Sequence, residues 1–197
     1  MQPDTVIETF RKTKETDISL KFNLRGKGAN SIKTPINFFT HMLEQLSYHG
    51  KFDIELDAKS LDNDFHHIVE DVAIVLGNAF KEALGDKKGI TRYANVFLPM
   101  DDALCQCALD ISGRAYCRCS FNIKDERTSD FETVLLVHFY NTFAQNAGIT
   151  LHLRQIDGYD THHIIEASFK AFARALRAAC SIDAAASDEM PSTKGIL

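Results

Sequence analysis

The hydrophobic and polar positions of the chain change their spacing several times, and each change predicts a new element. Strict alternation is typical of a half-buried strand, whereas recurrence at helical spacing is typical of an amphipathic helix. In the first half the predicted elements are a strand over residues 17–24, a helix over 37–49 that stops at Gly50, a strand over 52–56, and a helix that stops at Gly85.

The remaining chain gives a similar series of patterns. Residues 94–121 hold two alternating segments around Ser112-Gly113, which predicts a hairpin. Residues 129–132 read Ser-Asp-Phe-Glu, a capping box that predicts the start of a helix. Gly148 is expected to end this helix before an alternating strand, and a final helix follows.

The motif His-His-x-x-Glu occurs twice, at residues 66–70 and at 162–166. Each copy follows turn residues that are typical of a helix N-terminus. At about 100° per residue, His66 and Glu70 lie within about 40° of each other and can hold one ion. His67 lies about 100° further round and can reach a neighbouring ion. A single His pair at such a place is usually a solvated surface feature, but a repeat that keeps the Glu favours metal binding.

The apolar residues of these two helices cluster on a face far from the candidate ligands. The predicted core positions are Phe65, Val69, Val72, Leu76 and Phe80 in the first helix, and Ile165, Phe169, Phe172 and Leu176 in the second. The ligands are therefore expected to point away from the core. This favours a metal held between elements, or between subunits.

One further histidine precedes each copy of the motif. His41 lies 25 residues before His66, and His138 lies 24 residues before His162. The chain is therefore predicted to be an internal duplication with two sets of His, His-His and Glu. Eight ligands suit two ions with four each, which leaves positions open for substrate if the geometry is octahedral, as in manganese or iron sites. A zinc site is more often tetrahedral and closed.

Composition limits the classes of function. A chain of 197 residues with 45% hydrophobic content can bury one domain, or two small halves packed as one. No apolar run reaches the roughly 20 residues of a membrane span, and the N-terminal residues lack the apolar stretch of a signal peptide, so we expect a cytoplasmic protein without a membrane partner. A net charge of -5 without a basic run argues against a nucleic-acid partner.

The five cysteines are expected to be reduced thiols in such a compartment. Cys105, Cys107, Cys117 and Cys119 form two Cys-x-Cys pairs that would face each other across the predicted hairpin. They are either a soft-metal site or small apolar residues on a strand face.

The C-terminal residues leave two alternatives open. Residues 183–189 are small and polar, which predicts a loose linker. The Pro-Ser-Thr-Lys-Gly sequence at 191–195 is either a disordered end or an anion-binding segment that closes over a site.

Several of these stretches occur together, in this order, in one enzyme family. They are Phe-Thr-His-Met-Leu-Glu-Gln-Leu at 39–46 with His49-Gly50, the Asp-x-His-His-x-x-Glu-Asp run at 64–71, Ser-Gly-Arg at 112–114, His-His-Ile-Ile-Glu-Ala at 162–167, and Pro-Ser-Thr-Lys-Gly at 191–195. Over nearly its whole length the chain resembles the imidazoleglycerol-phosphate dehydratases of histidine biosynthesis.

The resemblance implies an α+β fold with an internal duplication. Each of two similar halves would be a four-stranded sheet with helices on one face, as in ribosomal protein S5 domain 2. The expected boundaries are 1–92 for the first half, 93–182 for the second half packed with it as one unit, and 183–197 for the linker and active-site tail. A homo-oligomer of 24 subunits with active sites at its interfaces is also implied.

The resemblance further implies two Mn²⁺ per chain. Their ligands would be His41, His67, His162 and Glu166 for one ion, and His66, Glu70, His138 and His163 for the other. The implied catalytic residues are Glu15, as the acid/base that moves a proton at the substrate, with His41, His66, His67 and Glu70. The substrate would contact Glu15, Gln45, His49, Arg92, Arg114, Lys170, Ser192, Thr193 and Lys194. Charge-assisted donors suit its phosphate, and Lys170 lies one turn beyond Glu166 on the ligand face.

The implied reaction is the loss of water from D-erythro-imidazoleglycerol phosphate to give imidazole acetol phosphate. The proton removed from carbon is not acidic on its own. Coordination of the substrate imidazole between two cations would favour an imidazolate, whose electrons expel the hydroxyl through a diazafulvene-like intermediate. Because the chain begins directly with the dehydratase sequence, without the phosphatase domain of some relatives, we expect it to be monofunctional.

Three positions depart from the family pattern. Thr40 stands where the family usually has Asp, Val137 where it usually has Glu, and Ala115 where it usually has Pro. Thr40 and Val137 precede His41 and His138 at equivalent positions. If those acids orient the histidine rings in relatives, metal affinity would be tuned differently here.

Two other classes of function remain open. In a metal-storage or sensing protein the paired sites would bind ions without chemistry, although storage needs no set of phosphate-binding cations. In a metallohydrolase that acts on a phosphorylated small molecule, two metals with open positions would activate water.

Overall fold

The computed structural model describes residues 6–197. The first half consists of β1 Val6–Lys12, β2 Thr16–Asn23, β3 Asn30–Lys33, α1 Asn37–Gly50, β4 Asp53–Ser60 and α2 Phe65–Leu84. The second half consists of β5 Tyr93–Met100, β6 Ala103–Asp110, β7 Tyr116–Ser120, the short pair β8 Arg127–Thr128 and β9 Phe131–Glu132, α3 Val134–Ala147, β10 Thr150–Asp157 and α4 Thr161–Ala179.

The two halves form four-stranded sheets with the same topology. The strand order is β1-β2-β4-β3 in the first sheet and β5-β6-β10-β7 in the second. In each sheet the last pair is parallel and the others are antiparallel. Parallel neighbours need a crossover connection, which α1 and α3 provide. The structure therefore confirms the predicted α+β class and the internal duplication.

The helices lie between the two sheets, on one face of each. Helices α1 and α2 pack on the first sheet, and α3 and α4 on the second. The helices also pair across the halves, α1 with α4 and α2 with α3, so that one apolar core runs from sheet to sheet. Among residues 6–197, no helix is both long enough and apolar enough to cross a lipid bilayer.

The predicted helix faces agree with the observed core, with one exception. Phe65 is 38% exposed, whereas the other eight predicted core positions of α2 and α4 are buried. Phe65 is the first residue of α2 and lies before the turn that packs against the sheet. Its side chain therefore has no apolar surface to cover.

The helix stops follow from backbone conformation. Gly85 and Gly148 follow α2 and α3 with φ of 58° and 68°, as predicted. Gly50 is instead the last residue of α1, and the left-handed residue is Lys51. A Cβ at Gly50 would lie 2.4 Å from a ring carbon of Phe52. Close packing, and not the turn, therefore requires this glycine.

The hairpin predicted around Ser112-Gly113 is wrong. β6 forms its hairpin with β5, through the turn at Asp101-Asp102. Beyond Gly113 the chain crosses to β7, which pairs with β10 at the edge of the sheet. Apolar and polar residues alternate along β6 and β7 as they would in a hairpin. The neighbour of β7 is nevertheless β10, a parallel strand whose paired residues lie 34 positions later in the chain.

The four strand cysteines consequently do not face each other across a turn. Cys105 and Cys107 on β6 are separated by β10 from Cys117 and Cys119 on β7. All are free thiols, and burial raises the pKa of Cys105 to about 12. Their place against the core favours the apolar packing role over a soft-metal site.

The capping box predicted at 129–132 is also wrong. Ser129 has φ of 51° in the turn between β8 and β9, and α3 begins later. The carboxylate of Asp130 instead accepts the N–H groups of Asn37 and Phe38, at 2.7 and 2.9 Å. Asp130 thus caps α1, which has no capping side chain of its own.

The segment predicted as a loose linker is held by backbone hydrogen bonds. The N–H of Gly89 donates to the carbonyl of Glu189, and the carbonyl of Gly89 accepts from Asp183, at 2.9 and 2.8 Å. The segment at 183–189 therefore packs on the loop between α2 and β5. The boundary at residue 182 stays a prediction.

Candidate active site

Three polar side chains meet where α1 packs on α4. The Nε2 atoms of His41 and His162 lie 3.4 and 3.1 Å from Oε2 of Glu166. We call His41, His162 and Glu166 the first triad. One potential ligand atom from each lies within 4.8 Å of the other two. Two imidazole nitrogens and one carboxylate oxygen are ligands that divalent transition metals take.

The carboxylate of the first triad is buried and paired. Glu166 is 6% exposed, and the Nζ atom of Lys170 lies 2.7 Å from its Oε1. Burial by itself raises the pKa of the Glu166 carboxyl, but the hydrogen bond and charge of Lys170 outweigh it and hold this pKa below its usual value. Glu166 was expected to point away from the core. It is buried because α1 covers this face of α4.

A second triad, formed by His66, Glu70 and His138, lies where α2 packs on α3. The Nε2 atom of His138 is 3.7 Å from Oε1 of Glu70, and the rings of His66 and His138 lie 4.3 Å apart. His138 Nε2 is buried and has no hydrogen-bond partner. Burial, followed by the neighbouring His66, lowers the pKa of His138. A neutral imidazole with an unpaired buried nitrogen fits a metal ligand.

Each triad combines the two halves of the chain. The first takes its single histidine from α1 and its motif residues from α4, and the second takes them from α3 and α2. Sequence spacing pairs His41 with His66, yet the structure pairs His41 with His162. The cross-packing of the helices produces this exchange, and the role of these residues as metal ligands stays a prediction.

Local capping fixes the orientation of both motifs. Asp64 accepts the N–H of His66 at 2.8 Å, and Asp160 accepts the N–H groups of His162 and His163 at 2.8 and 3.2 Å. Both helices therefore begin where the sequence predicts. Because the first turn is fixed, the i, i+4 pair of His and Glu projects from one face.

The remaining two motif histidines lie outside the triads. Nδ1 of His67 is 2.7 Å from Asp62, and Nδ1 of His163 is 2.6 Å from Asp102. These carboxylates raise the pKa of both histidines. With Nδ1 engaged, Nε2 is the atom that remains to bind a metal. The two rings are therefore oriented as ligands but do not complete either triad within this chain.

Glu15 lies beside His67, in the turn between β1 and β2. Its Oε1 is 3.8 Å from His67 Nε2, and its side chain is half exposed. Glu15, Asp62 and His67 form a third group whose ligand atoms lie within 4.8 Å of one another. This places the predicted acid/base residue next to a predicted metal ligand.

Polar groups continue from the first triad along the contact between α1 and α4. Gln45 Nε2 lies 3.5 Å from Nδ1 of His41. One turn further, burial lowers the pKa of His49, and the charges of Lys170 and Arg174 add to the effect. Three predicted substrate residues, Gln45, His49 and Lys170, thus lie along this helix contact. Arg174 was not predicted, although it follows Lys170 at helical spacing.

The other predicted phosphate residues lie near the opposite end of α4. The guanidinium of Arg92 donates to Asp110 at 2.7 Å and to the carbonyl of Pro191 at 2.7 Å. The N–H of Arg92 donates to Ala179, the last residue of α4. Helix α4 runs from Thr161 to Ala179, so at a rise of about 1.5 Å per residue this end lies roughly 26 Å from His162.

Arg114 and the tail also belong to the distant end. Arg114 contacts the carbonyl of Ser112 and lies beside Thr150, where β10 begins. The predicted residues Ser192, Thr193 and Lys194 follow the carbonyl that Arg92 binds. One chain therefore separates its two groups of candidate phosphate ligands.

Two functional contacts escaped the sequence analysis. Asp62 and Asp102 hold the Nδ1 atoms of His67 and His163, but no sequence pattern gave Asp102 a role, and Asp62 was read only as a turn residue. Asp102 lies 61 residues from its partner, and only the fold brings them together. The departure at Thr40 has a structural use, because its hydroxyl accepts the N–H of Thr34 at 3.2 Å and so holds the loop before α1.

Comparison with known proteins assigns the family. The model of the imidazoleglycerol-phosphate dehydratase family matches residues 34–176. The imidazoleglycerol-phosphate dehydratase of Azorhizobium caulinodans is 52% identical over 191 residues, which cover 96% of this chain and 97% of the relative. That of Clostridium botulinum is 50% identical over 195 residues, with 98% and 99% covered.

Solved structures agree with this assignment. The crystal structure of the Staphylococcus aureus enzyme has a TM-score of 0.83 and 32% identity, and covers 91% of this chain and all of its own. The Pyrococcus furiosus structure has a TM-score of 0.83 and 35% identity, with 96% and 100% covered. Sequence, fold and site thus lead to one conclusion: this chain belongs to the imidazoleglycerol-phosphate dehydratases, a family of carbon–oxygen hydro-lyases.

Proposed function

We propose that the chain converts D-erythro-imidazoleglycerol phosphate to imidazole acetol phosphate and water with two Mn²⁺ per chain. Dehydration of imidazoleglycerol phosphate in histidine biosynthesis is the activity of the family. The proposal of two Mn²⁺ per chain rests on the pair of His-His-Glu triads. Two separate triads, each with two imidazoles and one carboxylate, match the ligand sets expected for two ions.

The donor atoms fit a divalent metal. His138 Nε2 is a buried nitrogen without a partner, a state that costs free energy unless an ion or hydrogen bond occupies it. Glu166 is ionised at neutral pH because its pKa is lowered. We assign His41, His162 and Glu166, with His67, to one Mn²⁺, and His66, Glu70 and His138, with His163, to the other.

The fourth ligand of each set would come from another subunit. His67 and His163 lie outside the triads, and Asp62 and Asp102 hold their Nδ1 atoms. Completion by a neighbour would leave the oriented Nε2 atoms facing the partner's triad. This supports an oligomer with interface sites, for which we propose 24 subunits on the basis of the family resemblance.

The phosphate site would be shared in the same way. Gln45, His49 and Lys170 lie along the contact between α1 and α4, whereas Arg92, Arg114 and residues 192–194 lie at the far end of α4. A substrate whose imidazole end binds near the triads can meet both groups only where two subunits adjoin. Charge-assisted donors from both would bind the phosphate dianion.

The chain's own residues would orient the substrate and move its protons. Bound Mn²⁺ would supply positive charge that lowers the pKa of the substrate imidazole. Glu15, half exposed and 3.8 Å from His67, is positioned to exchange a proton at the reacting carbon. Lys170 and Gln45 would hold the phosphate side and so fix the distance between that carbon and Glu15.

The reaction products test this function. Purified enzyme with Mn²⁺ and imidazoleglycerol phosphate should yield imidazole acetol phosphate, followed by its absorbance, without inorganic phosphate. The Glu15→Gln enzyme should keep its metal content and assembly and lose turnover. Release of inorganic phosphate would contradict dehydration and favour a hydrolase. Normal turnover by Glu15→Gln would remove Glu15 as the acid/base residue.

A further inference from the structure

A buried carboxylate follows Glu70 directly in α2. Asp71 is 4% exposed, and its two oxygens accept hydrogen bonds from Arg11 Nε at 2.7 Å and from the Thr16 hydroxyl at 2.5 Å. Thr16 is completely buried. These three side chains, which we call the Asp71 network, join β1 and the start of β2 to α2.

The Asp71 network holds the turn that carries Glu15. The hydroxyl of Thr13 accepts the N–H groups of Glu15 and Thr16, each at 3.0 Å. The carbonyl of Glu15 accepts the N–H of Leu61 at 2.7 Å. Because Thr16 is tied to Asp71, the turn is fixed on α2. Glu15 therefore lies opposite His67, which is one helical turn before Asp71.

The second half of the molecule provides an internal comparison. Strand register and motif spacing match the three network positions, Arg11, Thr16 and Asp71, to Leu98, Ala103 and Ala167 respectively. Ala103 and Ala167 are buried like their counterparts. The same fold is therefore built with an apolar set in one half and a charged set in the other.

This comparison argues against a purely structural role for the network. Burying a carboxylate costs desolvation free energy, and apolar side chains of suitable size often replace such pairs without loss of stability. The second half has Leu98, Ala103 and Ala167 at the equivalent positions, so the shared topology does not require a charged network there. The Asp71 network lies next to the turn that carries Glu15. Positioning of this turn therefore explains why the first half keeps charged residues here.

We propose that Asp71 is a positioning residue that sets the carboxylate of Glu15 against the substrate, acting through Thr16. This inference rests on the proposed function, in which Glu15 exchanges the proton. Asp71 itself would touch neither substrate nor metal. Its effect would be on the rate of the proton step, because small displacements of a catalytic group lower turnover strongly.

The test copies the apolar set into the first half. The variant Arg11→Leu/Thr16→Ala/Asp71→Ala should fold, assemble and retain its Mn²⁺, with KM unchanged and kcat lowered about 10- to 100-fold. Thr16→Val, which removes only the hydroxyl, should lower kcat in the same direction and serves if the triple variant does not fold. In a Glu15→Gln background the triple change should lower the residual kcat no further, because both act on one step.

A matched control is Asp53→Asn. Asp53 accepts three backbone N–H groups at the opposite end of β4, so this change perturbs a carboxylate network remote from Glu15 and should leave kcat unchanged. Wild-type kcat in both the triple variant and Thr16→Val would overturn the inference, as would a multiplicative loss in the Glu15→Gln background. If Glu15→Gln itself is fully active, the assignment of Glu15 in the proposed function fails, and this inference fails with it.

Discussion

At the scale of single residues, a candidate ligand has two polar atoms, and the partner of one atom determines whether the other is ready to bind a metal. Lys170 keeps Glu166 ionised although the carboxylate is buried. Asp62 and Asp102 hold the Nδ1 atoms of His67 and His163. Because these partners fix ring orientation and tautomer before a metal arrives, they should contribute to its affinity.

The Asp102 contact gives a prediction about metal affinity. Asp102→Asn should weaken binding of the Mn²⁺ that we propose for His163 by about 10- to 100-fold, because the amide no longer fixes the ring as strongly. The Mn²⁺ affinity is measured by titrating enzyme from which metal has been removed by a chelator, with free Mn²⁺ followed by electron paramagnetic resonance. Asp157→Asn is the matched control, since among residues 6–197 the Asp157 carboxylate accepts a hydrogen bond only from the N–H of the adjacent Gly158. Equal affinities in all three proteins would contradict the role of Asp102.

At the scale of elements, function depends on helix N-termini held by acidic caps. Asp64 and Asp160 cap the motif helices from their own loops, whereas Asp130 caps α1 from a hairpin 93 residues away. Helix α1 carries His41, Gln45 and His49. The remote cap therefore ties the second half to the helix that carries candidate metal ligands and proposed substrate contacts.

The Asp130 cap should be visible in stability and its pH dependence. Burial opposes ionisation, but the N–H groups of Phe38 and Asn37 hold the Asp130 pKa below its usual value of 3.8. Ionised Asp130 thus stabilises the fold above about pH 4, and this contribution is lost as pH falls through the lower folded pKa. At pH 7, Asp130→Ala should cost about 1 kcal/mol of unfolding free energy.

Urea unfolding between pH 3 and pH 7 measures the Asp130 contribution. The difference between wild type and Asp130→Ala should shrink as pH falls below 3.8. Asp130→Asn, which keeps an acceptor oxygen but cannot ionise, should lose less at pH 7. A difference that does not change with pH would contradict a charged cap.

The elements also mark the limit of what the sequence predicts. Local signals located both motif helices, because an Asp cap and helical spacing act within a few residues, and glycines at 85 and 148 marked the ends of α2 and α3. Pairings across the chain were not readable. The neighbour of β7 is β10, and Asp130 caps a distant helix, so the hairpin and capping box were misassigned where a remote partner replaced the local one.

The candidate site divides in the same way. Spacing within the motifs predicts which His and Glu can share an ion, and the family resemblance supplied the full ligand sets. The cross-packing of α1 on α4, the two orienting carboxylates and Arg174 follow only from the fold. The opposite placement of Arg92 and His162 is also a property of the tertiary structure, because each lies at one end of α4.

At the scale of the whole molecule, one chain holds every predicted site residue but distributes them over separate surfaces. The triads lie between halves, His67 and His163 lie outside them, and Arg92 and the tail lie at the other end. Closed symmetry allows the surfaces of neighbouring copies to complete one another. Activity should therefore belong to the oligomer.

Mixed oligomers test this sharing of sites. A His67→Ala enzyme and a His41→Ala/Glu166→Ala enzyme should each be inactive, since each lacks ligands for the same ion. When subunits are dissociated, mixed equally and reassembled, about one quarter of interfaces should combine the intact triad of one with the intact His67 of the other and regain turnover. Hybrid oligomers, verified by mass, that remain inactive would contradict interface sites.

The most direct test of the two-metal account is the manganese content per chain after chelation and reconstitution, measured alongside formation of imidazole acetol phosphate. The account predicts two Mn²⁺ per chain in the wild type, and about one in Glu166→Ala and in Glu70→Ala, since each variant loses a carboxylate from one triad. Turnover should vanish on chelation and return with the metal. Full turnover without metal, or an unchanged content of two in both variants, would contradict it.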